Sequence, residues 1–280
     1  MHCEPATIPG SCSVLSILLI IVRRPDENWE LLARAEPYYG VLTDETFLGA
    51  GQSPDALRQF FATGEADAAW LLELAVRVGG TRFDPRSALD FGCGVGRLAI
   101  PMSRRVGQVT GVDIAPTMID LATRHGDAAG LGNVQYRTLS EARAREETFD
   151  FVYSLIVLQH IPPVAGYELI GWLLDIVTTG GIAALHIVVS RPGGLLRRVG
   201  RQLRSRFPIV HRAMQVVRGE AIRLPYMEMN VYDLEKVLDL YRSRGFGEPL
   251  LEPTNHGGIQ GVVLTAERLT DPSTRRSARQ

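Results

Sequence analysis

Lysine, cysteine, net charge and long apolar runs are all scarce in this 280-residue chain. Lys236 is the only lysine among 30 basic side chains, so arginine is the default cation and an arginine-rich stretch says less about partners than it would elsewhere. Cys3, Cys12 and Cys93 are an odd count with no C-x-x-C or similar ligand spacing, which reads as free thiols in a reducing compartment and leaves no visible metal cluster. A formal charge of -1 argues against a protein coated by nucleic acid, although it leaves room for a local basic face. The apolar run at 14–22 is shorter than the roughly 20 residues a spanning helix needs. Arg23 and Arg24 follow that run, and only His2 precedes it as a basic group. This charge order is the reverse of a secretory signal. A buried element, an interfacial segment and an upstream-extended gene start all remain open for 14–22. The expectation is a cytoplasmic protein, and its 45% hydrophobic and 22% charged residues suit one large core with a helical cap.

Against these absences stands the stretch ALDFGCGVGRLAIP at 88–101, in which three glycines separate an apolar run from a helix-like one. Glycine lets backbone N–H groups approach a ligand, because it has no Cβ to block them or to forbid positive φ. Dinucleotide loops usually read G-x-G-x-x-G. Here the glycines are Gly92, Gly94 and Gly96, and Arg97 stands next. Asp90, just before the turn, would repel a pyrophosphate but could accept hydrogen bonds from a cationic amine. A zwitterionic ligand is favoured over NAD. In QVTGVDIAPTMIDLATRHG, a second strand ends at Asp113 and Pro116 opens a helix. A carboxylate at that strand end can hold both hydroxyls of a ribose.

With both motifs in view, the sequence resembles the class I S-adenosylmethionine-dependent methyltransferases over roughly 83–268, on the strength of LDFGCGVGR and GVDIAPTMI and the strand pattern around them. The resemblance implies S-adenosyl-L-methionine as cofactor. Asp90, Gly92, Gly94, Gly96, Asp113, Ile114 and Met118 would bind it, and Ser154 and Leu155 would neighbour its methionine portion. It also implies a Rossmann-like methyltransferase fold of class α/β, with a doubly wound, mostly parallel seven-stranded sheet ending in a reversed hairpin.

The chain divides accordingly. Residues 1–82 form an N-terminal extension and helical cap, with helices expected from Pro54 to about 63 and from about 65 to 78. The cofactor-binding core at 83–190 alternates strands at 88–91, 108–112, 134–137, 149–154 and 182–189 with helical stretches, the pattern of a parallel sheet. An arginine-rich segment, 191–230, is expected to insert a helical lid after the fifth strand. A helix and two strands, 248–252 and 261–266, complete the core within 231–268, with NHGG at 255–258 turning between the strands. The tail at 269–280 should be disordered.

His160, in LQHIPP after the fourth strand, is the candidate general base, since an imidazole can take a proton from an attacking hydroxyl near neutral pH. LQHIP also recurs among these methyltransferases whatever their substrate, so orienting its own loop is the competing role. Ser154-Leu155-Ile156 replaces the Asn/Asp-Pro-Pro-aromatic signature of enzymes that methylate exocyclic amines, which weighs against nucleic-acid bases. His186, inside an apolar strand, reads as structural. Tyr39, Asn230 and His256 are candidate substrate contacts; Tyr39 could equally fasten the cap, Asn230 cap the last helix and His256 belong to its turn. MEMNVYD resembles the entry to the last helix in a branch of small-molecule methyltransferases. Residues 191–218 carry eight arginines and no acid, with an apolar stripe at helical spacing. They could cap the site, meet an anionic substrate or membrane surface, or form a solvated face. The expected reaction is methyl transfer to a small-molecule acceptor, oxygen favoured over nitrogen. A noncatalytic binding or scaffold protein and an NAD-dependent oxidoreductase are the rival readings.

Overall fold

The computed structural model describes residues 25–192, 225 and 227–269. The apolar run at 14–22, most of the expected lid and nearly all of the tail lie outside them. Seven strands form one sheet: β1 (Ser87–Phe91), β2 (Gln108–Asp113), β3 (Val134–Thr138), β4 (Phe149–Ser154), β5 (Val177–Ser190), β6 (Leu250–His256) and β7 (Ile259–Glu267). Their spatial order is β3-β2-β1-β4-β5-β7-β6, with β7 antiparallel to both neighbours and every other pairing parallel. This is the doubly wound sheet with a terminal hairpin that the sequence led us to expect.

Alternation along the strands sends side chains to two cores. On one face Val152, Leu185 and Leu264 meet Leu173 and Leu174 of α7 (Pro163–Asp175) and Val237 and Tyr241 of α8 (Leu234–Ser243). On the other, Phe151, Tyr153 and Val263 meet Leu71 and Leu74 of α3 (Pro54–Gly79) and Met102 of α4 (Ala99–Ser103). A third cluster joins α1 (Pro25–Ala35) and α2 (Pro37–Val41) to the body through Ala33, Tyr38, Phe60 and Val95, together with Met118 of α5 (Pro116–Ala128). The short α6 (Leu139–Arg143) follows β3, started by a capping box between Thr138 and Glu141.

Two local expectations are corrected. The helices expected on either side of Gly64 are one, α3, capped by Ser53 with Pro54 in its first turn. Gly64 does not break it; a Cβ there would lie 2.1 Å from the Arg97 carbonyl oxygen, so the glycine admits the turn after β1 against the helix. The C-terminal hairpin is tighter than NHGG suggested. Asn255 and His256 pair within the ladder, and Gly257 and Gly258, at φ 60° and 87°, make the two-residue turn.

In an exposed helix, Gly→Ala stabilises by about 1 kcal/mol. Gly64→Ala should instead destabilise by about 1 to 3 kcal/mol, the usual cost of overpacking, read from the urea midpoint. A stabilised variant would mean that the α3 contact with Arg97 is loose.

Candidate active site

A cavity of about 420 Å³ opens at the carboxyl ends of β1, β2 and β4, where open α/β sheets take ligands. Its floor is the turn after β1. Gly92 and Gly94 have φ of 75° and 53°, and a Cβ on either would come within 2.4 Å of Val157 or Val41 respectively. The N–H groups of Gly92 and Cys93 both donate to the Val112 carbonyl (2.7 and 3.0 Å), which ties the turn to β2. Cys93 is a buried free thiol whose pKa burial pushes well up, so its place in the wall is structural.

Asp113 ends β2 and bridges three elements. One carboxylate oxygen accepts the Gly94 N–H (2.9 Å) and the other accepts the Ala115 N–H (3.0 Å) at the start of α5. Two bonds leave two of its roughly four lone-pair sites for a ligand. Burial raises its pKa, and the N–H groups of Ala115, Gly94 and Ile114 oppose that rise. Asp90 is 1% exposed, and one of its oxygens has no partner. Burial, opposed by Arg97 and reinforced by Asp113, pushes its pKa up to about 7. Arg97 is itself buried and is bonded to α3, donating to Asp67 (2.6 Å) and Thr63 (3.2 Å).

The wall opposite the glycine turn comes from the segment after β4. Leu155, Ile156, Val157 and His160 line it, and Ile156 holds a φ of 56° that a β-branched side chain rarely adopts. Strain of this kind, about 1 to 3 kcal/mol, concentrates at functional sites. Nδ1 of His160 lies 2.6 Å from the Glu228 carbonyl, which can only accept, so this nitrogen carries the proton and Nε2 presents its lone pair. The Gln159 amide nitrogen stands 3.3 Å from Nε2. Burial lowers the His160 pKa to about 4; the Glu228 carbonyl works against the fall and Arg191 adds to it.

The N-terminal cap forms the roof through Trp29, Gly40 and Val41, and Trp29 meets the His160 ring edge-on at 5.0 Å. It is anchored by Glu30, which accepts the Thr117 N–H (3.1 Å) and hydroxyl (2.5 Å). The first turn of α5 lacks a side-chain cap of its own, so α1 supplies the acceptor. Leu139, Arg143 and Glu168 complete the far side, with the Arg143 guanidinium over the Trp172 ring at 5.3 Å.

Of the residues singled out in the sequence, Asp90, Gly92, Gly94, Asp113, Ile114, Met118, Leu155 and His160 line this one cavity. Gly96, Ser154, Tyr39, Asn230 and His256 are not in its lining. Gly96 faces the Tyr136 hydroxyl, and Ser154 gives its hydroxyl to the Phe91 carbonyl (3.0 Å). Asn230 holds the Gln159 carbonyl through its backbone and side-chain nitrogens (2.5 and 3.3 Å), while the cap of α8 is Asp233. His256 is exposed on β6 and touches His186, a fully buried histidine bonded to Thr254 (2.9 Å). Trp29, Val41, Arg143 and Glu168 were not foreseen, because Trp29 and Val41 come from the N-terminal cap, far from the motifs in sequence, and Arg143 and Glu168 lie on α6 and α7 with no local pattern to mark them. Among the described residues no group of three or more His, Cys, Asp or Glu could hold a metal ion, and no helix is long and apolar enough to cross a membrane.

A carboxyl raised when folded stabilises fully at acid pH, and that contribution is lost as pH rises through the folded value. Asp90→Asn removes this dependence. Its stability relative to the parent should therefore rise by on the order of 3 kcal/mol between pH 4 and 7.5 and flatten above. Melting curves across that range check it; a constant difference would place Asp90 in water.

Residues 88–181 match a family described as "Methyltransferase domain". The ubiquinone biosynthesis O-methyltransferase of Methylocella silvestris is 42% identical over 81 residues, 28% of this chain and 31% of that protein. Its namesake in Methylobacterium sp. (strain 4-46) is 33% identical over 152 residues, 53% and 52% of the two chains. This chain thus spans about a third to a half of the curated relatives it matches. Among solved structures, magnesium protoporphyrin IX methyltransferase (ChlM) from Synechocystis PCC 6803, with bound SAH, superposes with a TM-score of 0.51 at 21% identity, covering 74% of this chain and 83% of that one, a likeness of fold. With their glycine turn and acidic second strand end, residues 88–181 are similar to a methyltransferase domain, and with its sheet order the chain resembles the class I S-adenosylmethionine-dependent methyltransferases.

Proposed function

We propose that this protein transfers the methyl group of S-adenosylmethionine to a hydroxyl of a small, largely apolar molecule. The observation that carries the reading is the pair of carboxylates on one cavity wall, Asp90 with an unpartnered oxygen and Asp113 with two lone-pair sites to spare. They suit the two polar ends of that cofactor: an ammonium beside Asp90 relieves a buried, half-charged carboxyl, and ribose hydroxyls can donate to Asp113. The cradle of Gly92 and Gly94 fits the same ligand, since a Cβ at either would fill it. When bound, the cofactor supplies a methyl group already activated by its sulfonium.

What remains for the chain is positioning and one proton. Holding the acceptor oxygen in line, about 3 to 3.5 Å from the methyl, supplies much of the acceleration. Trp29, Ile156, Ile161 and Leu169 offer apolar surface for the acceptor, and the O-methyltransferase names of the relatives support oxygen as the accepting atom. The acceptor hydroxyl replaces the Gln159 amide at Nε2 of His160, donates its hydrogen bond there and gives up its proton as the oxygen becomes acidic during transfer. An imidazole at about 4 is neutral throughout the physiological range, so it needs no prior deprotonation. A contact between the arginine-rich segment and an anionic substrate or surface would involve residues outside those described.

S-adenosylmethionine and S-adenosylhomocysteine should raise the melting temperature, as ligands of the folded state do, and NAD should not. Asp113→Ala should weaken S-adenosylhomocysteine binding by about 1.5 to 3 kcal/mol, the range for hydrogen bonds to a charged group; calorimetry showing unchanged affinity would put the ribose elsewhere. His160→Ala should preserve that affinity and lower turnover about 10²- to 10⁴-fold. In the parent enzyme the acidic limb of kcat/KM should lie near pH 4, because rate is lost only as Nε2 becomes protonated. Turnover unchanged in His160→Ala would leave catalysis to proximity alone, and binding without turnover on any acceptor would mark a scaffold.

A further inference from the structure

The short segment that leads into α8 runs along the His160 loop and is bonded to it at every second residue, through Glu228, Asn230 and Tyr232. Glu228 accepts the His160 Nδ1–H through its carbonyl (2.6 Å), and Asn230 donates its N–H to the Gln159 carbonyl (2.5 Å). The Tyr232 hydroxyl lies 2.9 Å from the Leu158 carbonyl and 2.8 Å from the Ile161 carbonyl, one on each side of Gln159 and His160, so its single proton is shared between the two. Tyr232 is 1% exposed, and its own N–H is held by the Val188 carbonyl of β5 (2.8 Å). Helix α7 leaves room for it: a Cβ on Gly166 would lie 1.9 Å from the hydroxyl oxygen. Tyr232 is outside the cavity lining, so it reaches the site only through the loop it holds.

We infer that Tyr232 is a positioning residue, which with Glu228 and Asn230 straps the loop after β4 and sets the pose of the His160 ring. The inference rests, for its catalytic meaning, on the reading of His160 as the acceptor-side base. Its physical logic is independent of that reading. A 3₁₀ turn of three residues, Leu158–His160, carries two internal bonds, from the N–H groups of His160 and Ile161, too few to fix a ring against a cavity. The strap adds bonds to the carbonyls on both flanks and to the ring itself, which fixes the tautomer with Nε2 unprotonated. Trp29 closes the other side of the ring. The charged residues around it are Arg191, next after β5, Glu228 in the strap itself and, in the lining of the same cavity, Asp90, Asp113, Arg97, Arg143 and Glu168.

Tyr232→Phe removes the hydroxyl and leaves the aromatic packing. Freed of it, the loop should admit water, and because burial is the largest cause of the depressed His160 pKa, its midpoint should rise. The readout is the NMR titration of the His160 ring in the full chain without ligand, its signal assigned by loss in His160→Gln. The parent should titrate near pH 4. Tyr232→Phe should move upward by at least about one pH unit towards the ordinary 6.5. Asn230→Ala, which removes one side-chain bond, should move the same way by less, and it decides the matter if Tyr232→Phe does not fold. An unchanged His160 midpoint in a folded variant overturns the inference. If the midpoint moves while His160→Ala leaves turnover intact, the strap stands and its catalytic meaning falls.

Discussion

The Asp113 carboxylate is the constraint on which the site depends. It accepts an N–H from the glycine turn after β1 and another from the head of α5, and so holds two connections of the sheet at a fixed distance. Without it, the N–H of Gly94 would point at a cavity with no acceptor, and α5, which has no side-chain cap of its own, would lose contact with the turn. The same carboxylate keeps lone pairs for a ligand. In the proposed reading, fold and binding draw on one group, and its raised pKa records the cost of burying it, to which Glu30 adds.

Around that anchor the protein spends buried charge in two ways. Arg97 is buried and paired with Asp67, so the turn is fastened to α3 by an ion pair whose acid is partly exposed. Asp90 is buried and left half satisfied. An unpaired carboxyl in a folded interior is unfavourable and persists where a ligand completes it. The histidine wall follows the reverse logic: His160 is kept neutral by burial, with its proton committed to the Glu228 carbonyl and its lone pair met by the Gln159 amide nitrogen at 3.3 Å.

Much of this was legible in the sequence, for physical reasons. A strand buried on both faces shows as an apolar run, and a glycine turn followed by an acidic strand end leaves little freedom for the backbone, so the strands, Asp90 and Asp113 could be placed from local pattern alone. Gly64 misled because a glycine inside a helical pattern reads as a break, whereas here it answers a neighbour 33 positions away. Asn230 looked like a cap because it precedes a helix, but Asp233 is closer to the first turn and takes the N–H groups of Glu235 and Lys236. The strap on His160 was out of reach, since its bonds join residues 68 to 74 positions apart and carry no spacing rule. Trp29 reaches the site in the same long-range way.

The most direct test of the account is calorimetric titration of S-adenosylhomocysteine near pH 7 in buffers of different ionisation enthalpy. An ammonium arriving beside a carboxyl poised at about 7 displaces its proton, so binding should release about half a proton per site, rising towards one at pH 6 and falling as pH rises above 7. Tight binding with no proton release at any pH, or no binding at all, would contradict the placement of the cofactor's amine against Asp90 and with it the reading of the cavity.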